Sequence, residues 1–239
     1  MICITKNAFY LSDGDFSYAF FSDNGKLRHT YYGKYISFTD DGGNVRPVFR
    51  GELLRRGSAS AEYSEFGRGD FGIYSVFVQG PHSMNTDFRY RSHEILSEKP
   101  HLPFPALRDG GETLKVVLSD DRLGAELRLY YTVYDGALIR RAEIANTSAK
   151  TLILHKLASA CVSFPAGEYS LLHLSGRPTA ERTPFLRKLD QGTTAIDSER
   201  GISSHQHNPF IATTEGSADE THGNVFGFNL VYGGNFFME

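Results

Sequence analysis

Residues 124–148 read GAELRLYYTVYDGALIRRAEIANTS, and they decide the fold class. Apolar and polar side chains alternate on both sides of a short break, with β-branched and aromatic residues enriched. That is the period-two signature of half-buried strands. Ala125 to Tyr134 predicts one strand, Gly136 interrupts it, and Leu138 to Asn146 returns as its antiparallel partner. The same grammar recurs toward the N-terminus. Phe16 to Phe21 runs into Asp23-Asn24-Gly25, and Leu27 to Tyr32 comes back. Asn-Gly tolerates positive φ and therefore marks a tight hairpin.

Working outward, strands are expected at Ala8 to Leu11, Val76 to Val78, Phe88 to Arg91 and Thr113 to Ser119. Others are expected at Leu152 to Phe164, Tyr169 to Ser175, Thr193 to Ser198, Phe210 to Thr213 and Val225 to Tyr232. Turn residues separate nearly every pair, as at Gly110-Gly111 and Pro165-Ala166-Gly167. No segment carries a long capped 3.6-residue apolar period. The fold class is therefore all-β, an antiparallel sandwich with at most a few short helices. The absence of an internal repeat excludes a propeller or solenoid. Irregular backbone is expected over 39–72 and 97–111, the latter holding Pro100, Pro103 and Pro105. No Ser- or Gly-rich linker divides the chain, so residues 1–239 are expected to form a single domain.

Composition narrows the function. Twenty-five basic and 28 acidic side chains give a net charge of −3, interspersed rather than blocked. No basic field invites nucleic acid. No apolar run approaches the ~18 residues of a membrane span. The first residues, MICITKNAFYL, lack the charged start and apolar block of a signal peptide, which points to the cytoplasm. Cys3 and Cys161 lack metal-like spacing and suggest a reducing compartment or simple burial.

Candidate chemistry concentrates at 199–210, ERGISSHQHNPF. His205 and His207 are two apart and would share a strand face, the beginning of a zinc site that needs a third ligand. His173 and His222 carry no spacing that supplies it. The plainer reading is that His205, His207 and Asn208 hydrogen-bond to backbone and hold an irregular segment. Among carboxylates, Glu62, Glu65, Asp70, Glu181, Asp197 and Glu199 stand in polar contexts. A retaining glycosidase needs two, about 5–5.5 Å apart across the scissile bond. None lies in a nucleophile motif, and structural ion pairing or surface charge is the expected role of each. Phe226, Phe228 and Tyr232 fall on one strand face, with core burial expected. The pair Phe236-Phe237 suggests a continuation beyond it.

Six ordered blocks carry a resemblance. They are EYSEFGRGDFG (62–72), SHEILSEKPHLPFPAL (92–107), residues 124–148 above, LLHLSGRPTAER (171–182), ERGISSHQHNPFIA (199–212) and VFGFNLVYGGNFF (225–237). Along essentially its whole length the chain resembles the N-terminal domain of bacterial glycoside hydrolase family 36 α-galactosidases. The resemblance implies a β-supersandwich like that of galactose mutarotases. It also implies a catalytic (β/α)8 barrel beyond residue 239, which would hold the two catalytic aspartates. The implied reaction is retaining hydrolysis of terminal α-galactosides such as melibiose or raffinose, with no metal or organic cofactor. The implied partners are the chain's own barrel and the neighbouring subunits of a homotetramer.

Family members carry an acidic residue and an arginine in the loop before the EYP-like block. Here that loop reads RPVFRGELLRRGSASAEY (46–63), and Glu52, Arg55 and Arg56 are the nearest residue types, at a different spacing. Relatives usually place a tryptophan after the Ser-Gly pair of 175–176, where this chain has Arg177-Pro178. Glu181 and Arg182 remain as an expected ion pair or brace. Two other readings stand beside this one. One is a stand-alone sugar-binding or oligomerisation module. The other is a mutarotase-like enzyme that pairs His205 with Glu181 or Glu199.

Overall fold

The computed structural model describes residues 1–36, 60–68, 72–102, 107–108, 110–216 and 218–239. Sixteen strands and no helix occur among them. The strand chemistry is all-β and antiparallel, as the alternation requires; the few short helices that were expected are not found among the described residues. The chain divides into two compact units. The first comprises Met1–Pro100 with Asp109–Phe164, the second His101–Arg108 with Pro165–Glu239.

The first unit holds two four-stranded meanders. One is β1 (Ile2–Thr5), β2 (Ala8–Ser12), β3 (Phe16–Asp23) and β4 (Lys26–Lys34) in sequence order. A two-stranded ribbon pairs β5 (Val76–Gln79) with β10 (Ile153–Leu157). The other meander is β6 (Arg89–Leu96), β7 (Glu112–Asp120), β8 (Ala125–Tyr134) and β9 (Ala137–Asn146). The decisive 124–148 stretch forms the β8–β9 hairpin, with Tyr134 opposite Ala137. Its two-residue turn places Asp135 at φ 48° and Gly136 at φ 77°. Asn24 and Gly25 repeat this at φ 48° and 79° between β3 and β4. Positive φ at both central residues is the turn whose twist matches the flanking strands.

Both meanders feed one core. Phe9, Leu11 and Phe20 meet Leu114, Val116, Leu127, Leu129 and Tyr131. Phe20 stacks on Phe9 and on Tyr131 at centroid separations of 4.8 Å each. This is the sandwich that the period-two pattern calls for: one face of each sheet inward, the other polar.

The second unit has a four-stranded sheet in the order β12 (Ala180–Lys188), β11 (Tyr169–Arg177), β14 (His207–Glu215) and β15 (Val225–Asn229). A short pair joins β13 (Ile196–Ser198) to β16 (Phe236–Met238). Strands β1, β12 and β16 go beyond the sequence expectation, and the run expected at 152–164 shortens to β10. Tyr232 is a correction: it lies beyond β15 and is half exposed rather than in a core, because β15 stops at Asn229. Of the terminal aromatic pair, Phe236 is buried and Phe237 exposed.

Candidate functional site

The most concentrated chemistry lies inside the first unit, around Glu62. Residues just before it extend the β4 edge: His29 N donates to Ser60 O at 3.0 Å and Glu62 N to Leu27 O at 3.1 Å. That pairing turns the Glu62 side chain inward, where it is fully buried (0% exposed). Its Oε1 accepts hydrogen bonds from the hydroxyls of Tyr18 at 2.7 Å and Tyr131 at 2.9 Å. Its Oε2 accepts from His29 Nδ1 at 2.9 Å, so that ring nitrogen carries the proton. Arg140 Nη2 lies 3.0 Å from Oε1 as an ion pair, although its angle is too poor to count as a hydrogen bond. Arg140 Nη1 donates to the Tyr18 hydroxyl at 2.7 Å. The guanidinium sits 4.1 Å from the Tyr131 ring centroid and 5.4 Å from that of Tyr18.

The electrostatics follow from burial and neighbours. Burial pushes the Glu62 carboxyl up, but the Arg140 charge, the His29 contact and the Tyr18 hydroxyl together hold it below the usual range. Burial drives the Tyr18 and Tyr131 phenols well above theirs, the nearby Glu62 charge adding to it. Glu62 is thus a carboxylate, and both tyrosines are donors. The cluster ties four strands, β3, β4, β8 and β9, to the 60–62 segment. The carboxylate is fully buried, and its partners give it a structural role.

A second cluster ties the β3–β4 turn to β6. Lys26 Nζ donates to Glu65 Oε1 at 2.6 Å and to Phe88 O at 2.7 Å, and pairs with Asp87 Oδ1 at 2.8 Å. Arg68 and Arg89 complete the shell of Asp87 at 2.6 and 3.0 Å. Partial burial raises the Asp87 carboxyl, but Lys26, Arg89 and Arg68 outweigh it and bring it down to about 2. Glu65 Oε2 accepts from Thr86 Oγ1 at 2.8 Å and Phe88 N at 2.9 Å. A cavity of about 210 Å³ beside this cluster sets Lys26, Arg28, Glu65 and Arg68 against Phe88 and Leu127.

Of the residues singled out from sequence, Glu52, Arg55, Arg56 and Asp70 lie outside the described residues. Glu62 and Glu65 stand in the first unit, and the candidates between 181 and 208 in the second. Glu181 Oε1 accepts from Thr179 N at 3.1 Å within the β11–β12 turn. Arg182, at φ 56°, forms no ion pair with it among the described residues. Glu181 thus braces its turn through that bond with Thr179. His207 opens β14, and its Nδ1 lies 2.9 Å from Asp197 O. His205 precedes the strand, half buried, as is Asn208 within it. No hydrogen bond or ion pair joins His205 to Glu181 or Glu199 among the described residues. Nor is any group of three or more His, Cys, Asp or Glu side chains there placed to hold a metal. Cys3 and Cys161 are free thiols. Glu62 and Glu65 take the structural ion-pair role expected, whereas Asp197 and Glu199 are exposed.

Sequence reading missed the partners of Glu62. Tyr18, His29, Tyr131 and Arg140 are separated from it by 44, 33, 69 and 78 positions, so no local motif joins them. One signal was present: Arg140 shares a strand face with Leu138, Ala142 and Ile144, which pack on the core. A cation on an apolar face requires a buried anion.

Residues 25–239 match the glycosyl hydrolase family 36 N-terminal domain, and the chain belongs to that family. It is 35% identical over 249 residues to the α-galactosidase AgaA of Geobacillus stearothermophilus, covering 97% of this chain and 34% of that protein. It is 32% identical over 233 residues to the bifunctional α-galactosidase/sucrose kinase AgaSK of Mediterraneibacter gnavus, covering 90% of this chain and 25% of that one. The solved galactosidase domain of AgaSK superposes with a TM-score of 0.87 at 30% identity, over 99% of this chain and 36% of that one. The crystal structure of AgaA gives 0.85 at 35% identity, over 96% and 34%. The chain spans about a third of the length of the curated α-galactosidases it matches. No helix among the described residues is long and apolar enough to cross a membrane.

Proposed function

We propose that this chain is the non-catalytic N-terminal domain of a retaining, cytoplasmic α-galactosidase. In this reading it packs on the enzyme's own (β/α)8 barrel, supports a homo-oligomer, and leaves the two reactive aspartates to the barrel. Substrates are terminal α-galactosides of the melibiose and raffinose type. Substituted variants of AgaA have been solved in complex with raffinose and with stachyose, which supports that choice. One observation carries the reading. The family match runs from residue 25 to 239, and the carboxylate–imidazole pair of the first unit, Glu62 with His29, is sealed from solvent. A sealed pair suits a scaffold and not a sugar-processing cleft.

Exposed Phe185, Leu186, Val225, Tyr232 and Phe237 support the packing and oligomer roles, since apolar side chains of this size seek cover. Whether residues 46–63 reach a sugar, through Glu52, Arg55 or Arg56, belongs to the same proposal.

The test compares the purified chain with the polypeptide encoded when the reading frame is followed downstream. The chain alone should leave 4-nitrophenyl α-galactoside untouched and should not speed α-galactose anomer exchange. The extended polypeptide should hydrolyse melibiose or raffinose. Turnover or mutarotation by the chain alone would refute the scaffold assignment.

A further inference from the structure

Two imidazoles meet on the sheet of the second unit, in a place the scaffold role does not explain. The strand register produces the meeting. His173 in β11 lies opposite Ile211 in β14, and Ser175 lies opposite His207. Between these pairs β11 advances two residues while β14 advances four, accommodating Asn208 and Pro209 in the irregular stretch. His173 and Ser175 share a strand face, so His207 becomes the diagonal neighbour of His173. The rings stand 5.9 Å apart between centroids at 79°. The other side of the His173 ring stacks on Phe185 of β12, at 5.6 Å and 17°.

Each ring nitrogen matters. Asp197 O can only accept, so the His207 Nδ1 facing it at 2.9 Å carries a proton already. A second proton on His207 would make it a cation beside His173. The Nδ1 of His173 is shut off from solvent and has no hydrogen-bond partner. An imidazolium needs an acceptor for each N–H, and here one has none. Burial, His207 and Arg187 all hold His173 below the ordinary histidine range.

We propose that the His173–His207 contact is an acid-sensitive joint: neutral rings let β12, β11 and β14 pack together, and a proton taken up at His173 expels its ring from between His207 and Phe185. The facing groups are few. β11 supplies His173, β14 supplies His207, β12 supplies Arg187 and the Phe185 ring, and β13 supplies Asp197 through its main-chain carbonyl. β15 presents no titratable side chain. No carboxylate of the described residues forms an ion pair with either histidine, so nothing compensates the added charge. Acidification thus gathers positive charge on one sheet face, and the strain is relieved by moving the ring.

The imidazole resonances of the intact chain, followed by NMR from pH 8 to acid, test this, with His173→Gln assigning the signal. His173 should titrate at lower pH than it does in the urea-unfolded chain. Arg187→Gln, on an exposed strand, should raise its midpoint, and His207→Gln should do the same. Amide protection in β11 and β12 should fall as His173 titrates, and His173→Gln should abolish that acid-dependent loss. A midpoint at or above the unfolded value would overturn the joint. So would a midpoint indifferent to Arg187→Gln, or protection that stays constant through the titration.

Discussion

The two units differ in how their charged groups are housed. In the first, charges are buried and answered: Glu62 has Arg140, His29, Tyr18 and Tyr131 around it, and Lys26 has Glu65, Asp87 and a main-chain carbonyl. In the second, the polar pair His173–His207 is left short of an acceptor, and every residue of β12 is exposed. Removing a partner is therefore expected to cost most in the first unit. Buried ion pairs rarely add much net stability, since desolvation offsets attraction. Their cost appears when one partner is removed.

That contrast gives the largest expected effect. Glu62→Ala strands the Arg140 guanidinium in the core and should cost about 3–5 kcal/mol in urea unfolding. Glu62→Gln, which keeps the shape and loses the charge, should also destabilise, though less than the alanine. An unchanged denaturation midpoint for Glu62→Ala would remove the cluster from its structural role. Phe20→Ala opens a cavity between Phe9 and Tyr131 and should cost about 3–5 kcal/mol by the same measurement, less where the neighbours collapse into the space.

The Asp87 shell predicts a pH dependence. Its folded carboxyl sits at about 2, below the ordinary 3.8. The stability it contributes is thus complete above pH 3.8 and is lost as pH falls from there through about 2. Urea midpoints measured across that window should drop less steeply in Asp87→Asn than in the unaltered chain. Parallel curves would show that the three cations do not act through this carboxylate.

The smallest effect lies on β12. Leu186 is 60% exposed, so Leu186→Ser should change stability by no more than ~0.5 kcal/mol. Its consequence should appear in light scattering instead, as weaker self-association of the chain. A large loss of stability would mean that this strand face is packed in solution and would erase the contrast between the units.

How much of this was legible follows from locality. The β8–β9 hairpin was readable because alternation and the Asp135-Gly136 turn lie within one short stretch, and the same holds at Asn24-Gly25. Strand β12 was not. Its sequence AERTPFLRK contains Pro184, mixes charge with apolar residues, and buries neither face, so period two has nothing to mark. Strands β1 and β16 are four and three residues long, too short to show a period. The overlong 152–164 expectation followed an apolar composition whose pairing with β5 ends at Leu157. At the site, the roles of Glu62 and Glu65 as structural anions were foreseeable from their neighbours. Their partners were not, since they arrive from other strands by tertiary pairing. Arg140 on the inward face of β9 was the single usable clue.

Strand β12 closes one side of its sheet, and Pro184 sits in its middle. Proline tolerates an edge position only with its donorless nitrogen turned away from the ladder. Any foreign strand trying to zip onto this border would lose a rung halfway along and find the Arg182 kink just before it. Whatever settles here must do so through the Phe185 and Leu186 side chains, so the chain can offer a greasy landing strip while refusing to seed fibrils.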